Sequence, residues 1–554
     1  MRYRREELRF NGWGRRDKTF DLKGRDQEVW AFVSDALGLR ELPHTPAVSL
    51  EALPLPAPSL SEDALAALRG IVEPSRVKTD AFERAMHAVG RSYYDLVRIR
   101  RGELPGAPDA VVYPRDHDEV MRILRWASDH RVAVVPYGGG SSVVGGVEAT
   151  HDGQKSGLVS LDTTLMDTLI ELDEVSHTAT FQAGVYGPAL EETLQARGFT
   201  LGHYPQSFEF STLGGWIAAR GAGQQSNRYG TAVKQLVAAR LATPTGELRT
   251  KPFPASAAGP DLNAWIAGSE GTLGVITEAT VKVHPVAEAR DFVSFLFRDW
   301  ESGALAVRRI VQSELPVATL RLSDVEETRF FGAFRSVLKP SRFQDTAQKA
   351  LSLGGFDKPC VLMVGVEGPA TQVGLARRSA LMTCTRTGGL FVGRGPGNSW
   401  YENRFEMPYL RDPLMDHGVG VDTLETSTTW ANLHTLYDAV QRALRGAMEA
   451  RGHRGIVMAH ISHSYLEGAS LYFTYIFPRD LDDEIGQWRS IKEAASEAIS
   501  KNGGTISHHH GVGIDHAHWL EPEKGALALG MIEAAKQRLD PANVLNPGKL
   551  LPAR

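Results

Sequence analysis

Pro136-Tyr137-Gly138-Gly139-Gly140-Ser141-Ser142-Val143-Val144-Gly145-Gly146 follows the apolar run Val132-Ala133-Val134-Val135. A buried strand feeding a glycine-rich turn is the pattern of a phosphate cradle. Consecutive glycines remove the Cβ atoms that would block a diphosphate and permit the positive φ angles of a tight wrap. Backbone N–H groups can then converge on an anion, with the Ser141 and Ser142 hydroxyls as further donors. Alone, such a loop is as often a plain turn as a ligand cradle. Two more small-residue segments strengthen the reading: SFEFSTLGGW at 207–216 and GSEGTLG at 268–274. Neither a GxGxxG opening a Rossmann helix nor a GxxxxGK[ST] P-loop is present. Three such loops without a triphosphate-binding lysine favour an extended dinucleotide, with three unrelated turns as the competing reading.

The surrounding chain has the length for this. Its 554 residues exceed one core and imply two or three domains. A formal net charge of −5 argues against nucleic acid as a partner. The only cysteines, Cys360 and Cys384, exclude a disulfide framework and fit a reducing compartment. The N-terminus is charged, no apolar run reaches transmembrane length, and the terminal LPAR is not a peroxisomal address. These features predict a cytoplasmic protein whose membrane contact is peripheral.

Residues 1–105 read as a helical, arginine-rich lead-in. From 106 to 286, β-branched strands alternate with amphipathic helices, such as 116–130, in an α/β pattern that closes on a long strand at 274–283. Residues 287–504 mix strands and helices as an α+β domain, and 505–554 form a C-terminal segment carrying His508-His509-His510.

PYGGGSS at 136–142, SEGTLGVITEATVKV at 269–283 and LDPANVLNPGKLL at 539–551 resemble the vanillyl-alcohol-oxidase/PCMH-type flavoproteins. That resemblance implies a PCMH-type FAD-binding domain followed by an α+β cap domain. FNGWG at 10–14, SFEFSTLGGW at 207–216, YLRD at 409–412, LETSTTW at 424–430 and SHHHGVG at 507–513 are collinear with, and similar to, the alkyldihydroxyacetone-phosphate synthase family. The implied activity replaces the acyl chain of acyl-dihydroxyacetone phosphate with a long-chain fatty alcohol through a flavin N5 adduct. It forms the ether bond of ether lipids and releases a fatty acid. A homodimer touching the inner membrane face is the implied setting.

The same resemblance implies the FAD contacts. Pro136, Tyr137, Gly138, Gly139, Gly140, Ser141 and Ser142 would wrap the diphosphate. Gln206, Ser207, Phe208, Glu209, Phe210, Ser211 and Thr212 would line the rest, with Ala219, Arg220, Gly221 and Ala222. Glu270, Gly271, Thr272, Leu273, Gly274, Val275 and Ile276 would complete the site, with His203 close to the flavin. Ser141 stands where histidine-linked relatives attach the flavin, which implies non-covalent FAD.

Tyr472, in SLYFTY, matches the family's catalytic tyrosine. It is expected to take a proton from substrate C1 if nearby positive charge lowers its pKa. Pattern alone favours a strand tyrosine among Phe473, Tyr475 and Phe477. Arg411 matches the arginine that grips the substrate phosphate, a role suited to a forked, permanently charged group. The bland alternative is a surface ion pair with Asp412 or Asp416. Arg321 is a single charge in the apolar TLRL run and matches a second family arginine. His508, His509 and His510 match a triple-histidine loop implied to make polar contacts near flavin and phosphate. No metal is expected there, since sequence neighbours rarely all face one ion and no HExxH-like spacing exists.

The rival reading is an FAD-dependent 2-hydroxy-acid dehydrogenase. Those enzymes resemble a GDGNxH pattern whose histidine helps hold a metal, whereas this chain places Tyr472 there. His460 and His463 lie nearby at a different spacing. His460 also stands where the synthases usually carry arginine, and the tail reads NPGKLL rather than GNRNLL.

Overall fold

The computed structural model describes residues 4–151, 153–340, 349 and 351–551. Two sheets build the first half. β1 (Val77–Lys78), β2 (Ala110–Val112), β3 (Ala133–Tyr137) and β4 (Leu158–Asp162) form a sheet of order β1-β2-β4-β3. Within it β2, β4 and β3 run parallel and β1 is antiparallel, so the lead-in contributes an edge strand as well as helices. β5 (Leu169–Asp173), β6 (Thr178–Gln182), β8 (Leu236–Thr243), β9 (Gly246–Arg249) and β10 (Val275–Lys282) form an antiparallel sheet of order β5-β6-β10-β8-β9. β7 (Phe199–Thr200) and β11 (His284–Pro285) make a short separate ladder.

The helix His117–His130 shows why the local sequence folds as expected. The Asp116 carboxylate accepts the Glu119 N–H at 2.8 Å, a cap contributing about 1 kcal/mol. Val120, Ile123, Leu124 and Ala127 share one buried stripe that packs under β3, and Arg131 ends the helix in a left-handed conformation at φ 55°. Both faces of β3 are covered, which explains its continuous apolar run. The C-terminal segment then returns to β3. The Val134 N–H donates to the Val544 carbonyl at 2.7 Å, and the Asn546 N–H donates to the Val134 carbonyl at 2.8 Å.

The second half is one antiparallel sheet of seven strands. β12 (Ala289–Phe297), β13 (Val317–Ser323), β14 (Cys360–Gly368), β15 (Leu390–Gly393), β16 (Val419–Thr429), β17 (Ile456–Ile461) and β18 (Gly468–Pro478) are arranged β15-β12-β14-β13-β17-β18-β16. Its far face packs on the helices Trp300–Gln312, Leu433–Ala450 and Glu484–Lys501, burying Phe473, Tyr475 and Phe477 with Leu436, Val440 and Ile491. The two-residue period of a strand sends Tyr472, Thr474 and Ile476 to the opposite face, into a cavity. Register aligns one row across four strands: Ser323 opposite His460, His460 opposite Tyr472, and Tyr472 opposite Glu425.

Candidate active site

A cavity of about 1050 Å³ lies between the two halves. At one end it is lined by Pro136, Tyr137, Gly138, Gly139, Gly140, Ser141 and Ser142, so the loop after β3 is a cavity wall. Glycine is required there by close approach. A Cβ on Gly139 would lie 1.8 Å from the Phe210 carbonyl oxygen, and one on Gly138 would lie 2.3 Å from Thr212 Oγ1. The cradle and the 207–216 loop therefore meet backbone to backbone. Arg5 secures the cradle from behind. It donates to the Gly138 carbonyl at 2.5 Å and to Asp162 at 2.6 Å. Burial would raise the Asp162 carboxyl, but Arg5 and His87 hold it at about 2.

Gln206, Ser207, Ser211, Thr212, Ala219, Gly221, Ala222, Glu270, Gly271, Gly274, Val275 and Ile276 also line the cavity. Seven sequence-predicted FAD contacts are not among its lining residues. Phe208 stacks on Trp216 and Phe405, and Phe210 meets Trp13 edge-on, so both serve the core. Glu209 lies 3.8 Å from Lys18. Arg220, at φ 55°, turns outward to the Ala267 carbonyl at 3.1 Å. Thr272 bonds the Ser269 carbonyl, and Leu273 is buried. His203 is buried behind the wall against Trp216, both ring nitrogens without partners, and burial drives its pKa down to about 3. It is therefore neutral.

The middle of the cavity gathers Arg321, Arg411, Tyr472, His509 and His510 from four separate segments. Arg411 makes neither predicted ion pair. Asp412 accepts the Trp13 N–H, Asp416 pairs with Arg100, and Arg411 donates to the Arg91 carbonyl at 2.8 Å. Its Nε is buried without a partner. Burial lowers its pKa, yet a guanidinium stays charged at neutral pH. Arg321 donates to Glu327 at 2.8 Å and lies 3.1 Å from His460 Nδ1, which in turn lies 3.0 Å from Glu327.

Tyr472 departs from expectation. Burial dominates its surroundings and pushes its pKa up to about 12, although the Thr423 hydrogen bond and Arg321 pull the other way. Desolvation of the phenolate outweighs the single nearby cation, so the resting group is a phenol. His460 stacks on its ring at 5.0 Å, and His510 meets it edge-on at 5.6 Å.

The histidine loop hangs on one carboxylate that sequence reading passed over. Glu425, in LETSTTW, is 1% exposed and accepts the Ser507 hydroxyl at 2.9 Å. It also accepts the backbone N–H groups of His508, His509 and His510 at 2.5, 3.0 and 2.8 Å. Burial would raise its pKa, but the three loop N–H groups and the Ser507 hydroxyl hold the carboxylate well below the usual range. Glu270 pins the next turn by accepting the Val512 and Gly513 N–H groups at 2.5 and 2.7 Å. Burial raises it to about 7. His509 and His510 reach the cavity, whereas His508 Nε2 sits 2.6 Å from the Tyr465 hydroxyl and lies outside the lining.

A glycine cradle on an α/β half, roofed by a one-faced antiparallel sheet, defines a two-domain FAD-dependent flavoprotein of the PCMH type. Residues 108–251 match the family described as FAD binding domain, and residues 286–550 match FAD linked oxidases, C-terminal domain. An alkyldihydroxyacetonephosphate synthase of Trypanosoma brucei brucei is 33% identical, covering 99% of this chain and 93% of the relative. One from Dictyostelium discoideum is 35% identical, covering 92% and 84%. A solved alkyldihydroxyacetonephosphate synthase structure superposes with TM-score 0.82 at 31% identity, over 98% of this chain and 97% of the other. The chain belongs to the alkyldihydroxyacetonephosphate synthase family.

Proposed function

We propose that this chain exchanges the acyl group of an acyl-dihydroxyacetone phosphate for a long-chain fatty alcohol, yielding an ether lipid precursor and a fatty acid without net oxidation. The observation that carries the reading is the make-up of this cavity. Its lining holds Arg411, Tyr472, His509 and His510 together with the cradle, and also the apolar side chains Val29, Val33, Phe330, Phe334, Leu410 and Leu414, which belong to one cluster. A phosphate headgroup and a long hydrocarbon chain each find matching chemistry there.

FAD held by the cradle and the 206–222 and 270–276 segments would supply the electrophilic and nucleophilic chemistry of its ring at the cavity. The cradle suits its diphosphate through backbone N–H groups and the two serine hydroxyls. Ser141 puts no imidazole in the cradle, which favours non-covalent binding. Arg411, with one unpartnered nitrogen and no carboxylate partner, holds the substrate phosphate. Tyr472 acts as a phenol that relays the C1 proton, and neutral His510 beside it accepts it, because burial keeps that imidazole unprotonated. The Arg321–Glu327–His460 cluster fixes the ring stacked on Tyr472.

Both proposed substrates are lipids, so the apolar cluster opens toward a bilayer, and Lys23, Arg335 and Lys339 lie in the cavity lining to meet acidic headgroups. Among the described residues no helix is long and apolar enough to cross a membrane. We place the chain as a homodimer at the inner membrane face. Anaerobic titration tests the redox-neutral reading. Palmitoyl-dihydroxyacetone phosphate should release palmitate with no electron acceptor, and D-lactate or glycolate should leave the flavin oxidised. Bleaching by a 2-hydroxy acid without palmitate release would favour the dehydrogenase.

A further inference from the structure

Beside the proposed proton path, three imidazoles converge that the exchange reaction does not use as a group. His463 comes from the turn after β17, and His508 and His509 come from the C-terminal loop. One nitrogen of each lies within 4.8 Å of the others. Their ring centroids form a nearly equilateral triangle: His463 to His508 5.2 Å, His463 to His509 5.2 Å, and His508 to His509 5.1 Å. A tetrahedral zinc ion with Zn–N bonds of about 2.0–2.1 Å places each imidazole centroid about 3 Å away and hence the centroids about 5 Å apart. The triangle already has that size.

Three further observations point to a ligand. His463 is 5% exposed, and its buried Nδ1 has no hydrogen-bond partner among the described residues. His508 Nδ1 and His509 Nδ1 face each other at 2.9 Å, so a proton or a cation must lie between two lone pairs. The Tyr465 hydroxyl at His508 Nε2 and the Glu425 carboxylate on the loop backbone hold the rings from outside, as outer partners do at metal sites.

We propose that His463, His508 and His509 form a three-histidine site for a divalent transition cation of the zinc class, with its fourth position open to the cavity. His463 and His509 both line that cavity. Sequence order had argued against a metal because three consecutive histidines rarely face one ion. The fold resolves this by turning His510 toward Tyr472 and bringing His463 from a distant strand end. The buried Glu425 charge is then balanced by the cation, which also offers an anchor to an anionic oxygen in the cavity.

The test uses full-length FAD-loaded protein, stripped with chelator, equilibrated with zinc chloride and freed of excess by gel filtration. About one zinc per chain is expected by mass spectrometry, with an X-ray absorption edge fitted by three imidazole nitrogens. His463→Gln should lose about tenfold or more of the retained zinc while keeping its flavin. His509→Gln, on a different segment, provides the same readout if the first variant does not fold. Wild-type protein retaining under about 0.1 zinc per chain would overturn the proposal and leave a shared proton between His508 and His509. So would equal zinc retention by a folded variant.

Discussion

Replacing Glu425 by glutamine changes one atom's character and little volume, yet it should release the histidine loop. Oε1 accepts from Ser507 Oγ, His509 N and His510 N, and Oε2 accepts from His508 N. The amide oxygen of glutamine can keep the first set, weakened by loss of charge. Its –NH₂ must then face the His508 N–H, donor against donor. Losing one charge-assisted bond costs about 1.5–3 kcal/mol, and the stranded donors add about 1–3 kcal/mol. The sum, about 2.5–6 kcal/mol, falls on loop closure rather than on the sheet. At 1.4 kcal/mol per tenfold, the open loop gains about 10²–10⁴ in population. Hydrogen exchange of residues 507–513 should accelerate by that factor, and turnover should fall with flavin retained. In the wild type, a carboxyl held below its unfolded value contributes fully above about pH 5 and is lost only as pH falls through its folded pKa. The part of the protection that Glu425→Gln removes should therefore be the same from pH 5 to 9. Unchanged exchange and unchanged turnover in Glu425→Gln would refute the anchoring role.

Tyr472→Phe should keep FAD and lose about 10²–10⁴ in kcat, the range of a lost proton-transfer group. Full activity would remove the phenol from the mechanism. Arg411→Ala should raise the KM for acyl-dihydroxyacetone phosphate about 10–100-fold, as expected for lost charged hydrogen bonds to phosphate. An unchanged KM would place the phosphate elsewhere. Asp515 has one carboxylate oxygen buried without a partner, and burial raises its pKa to about 7. The native state therefore holds this proton more tightly than the unfolded chain, and stability falls as pH rises from about 4 to 7. Asp515→Asn should raise Tm by about 1–3 °C at pH 8 and by less at pH 4; an equal shift at both would contradict the assigned ionisation.

Much of the fold was legible because local signals agreed. The Asp116 cap, the apolar stripe behind it and the Val132–Val135 run all pointed to a helix feeding a buried strand. The glycine cradle was readable because only glycine fits beside the Phe210 carbonyl. Phe208, Phe210 and Arg220 misled because a motif's neighbours look alike in sequence while the strand and turn geometry sends them to the core or to solvent. Glu425 was missed for another reason, and Glu270, expected among the FAD contacts, was not read as the anchor of Val512 and Gly513. A lone glutamate in a β-rich stretch usually faces water, and nothing local shows that a loop some 80 or 240 residues away donates its N–H groups to it. Tyr472 lines the cavity, but its ionisation depends on burial, which residue spacing does not report.

The most direct measurement is product analysis. The purified yellow protein would receive palmitoyl-dihydroxyacetone phosphate and hexadecanol with no electron acceptor present. The account predicts hexadecyl-dihydroxyacetone phosphate and free palmitate in equal amounts by mass spectrometry. Absence of the ether product from flavin-loaded protein would contradict it.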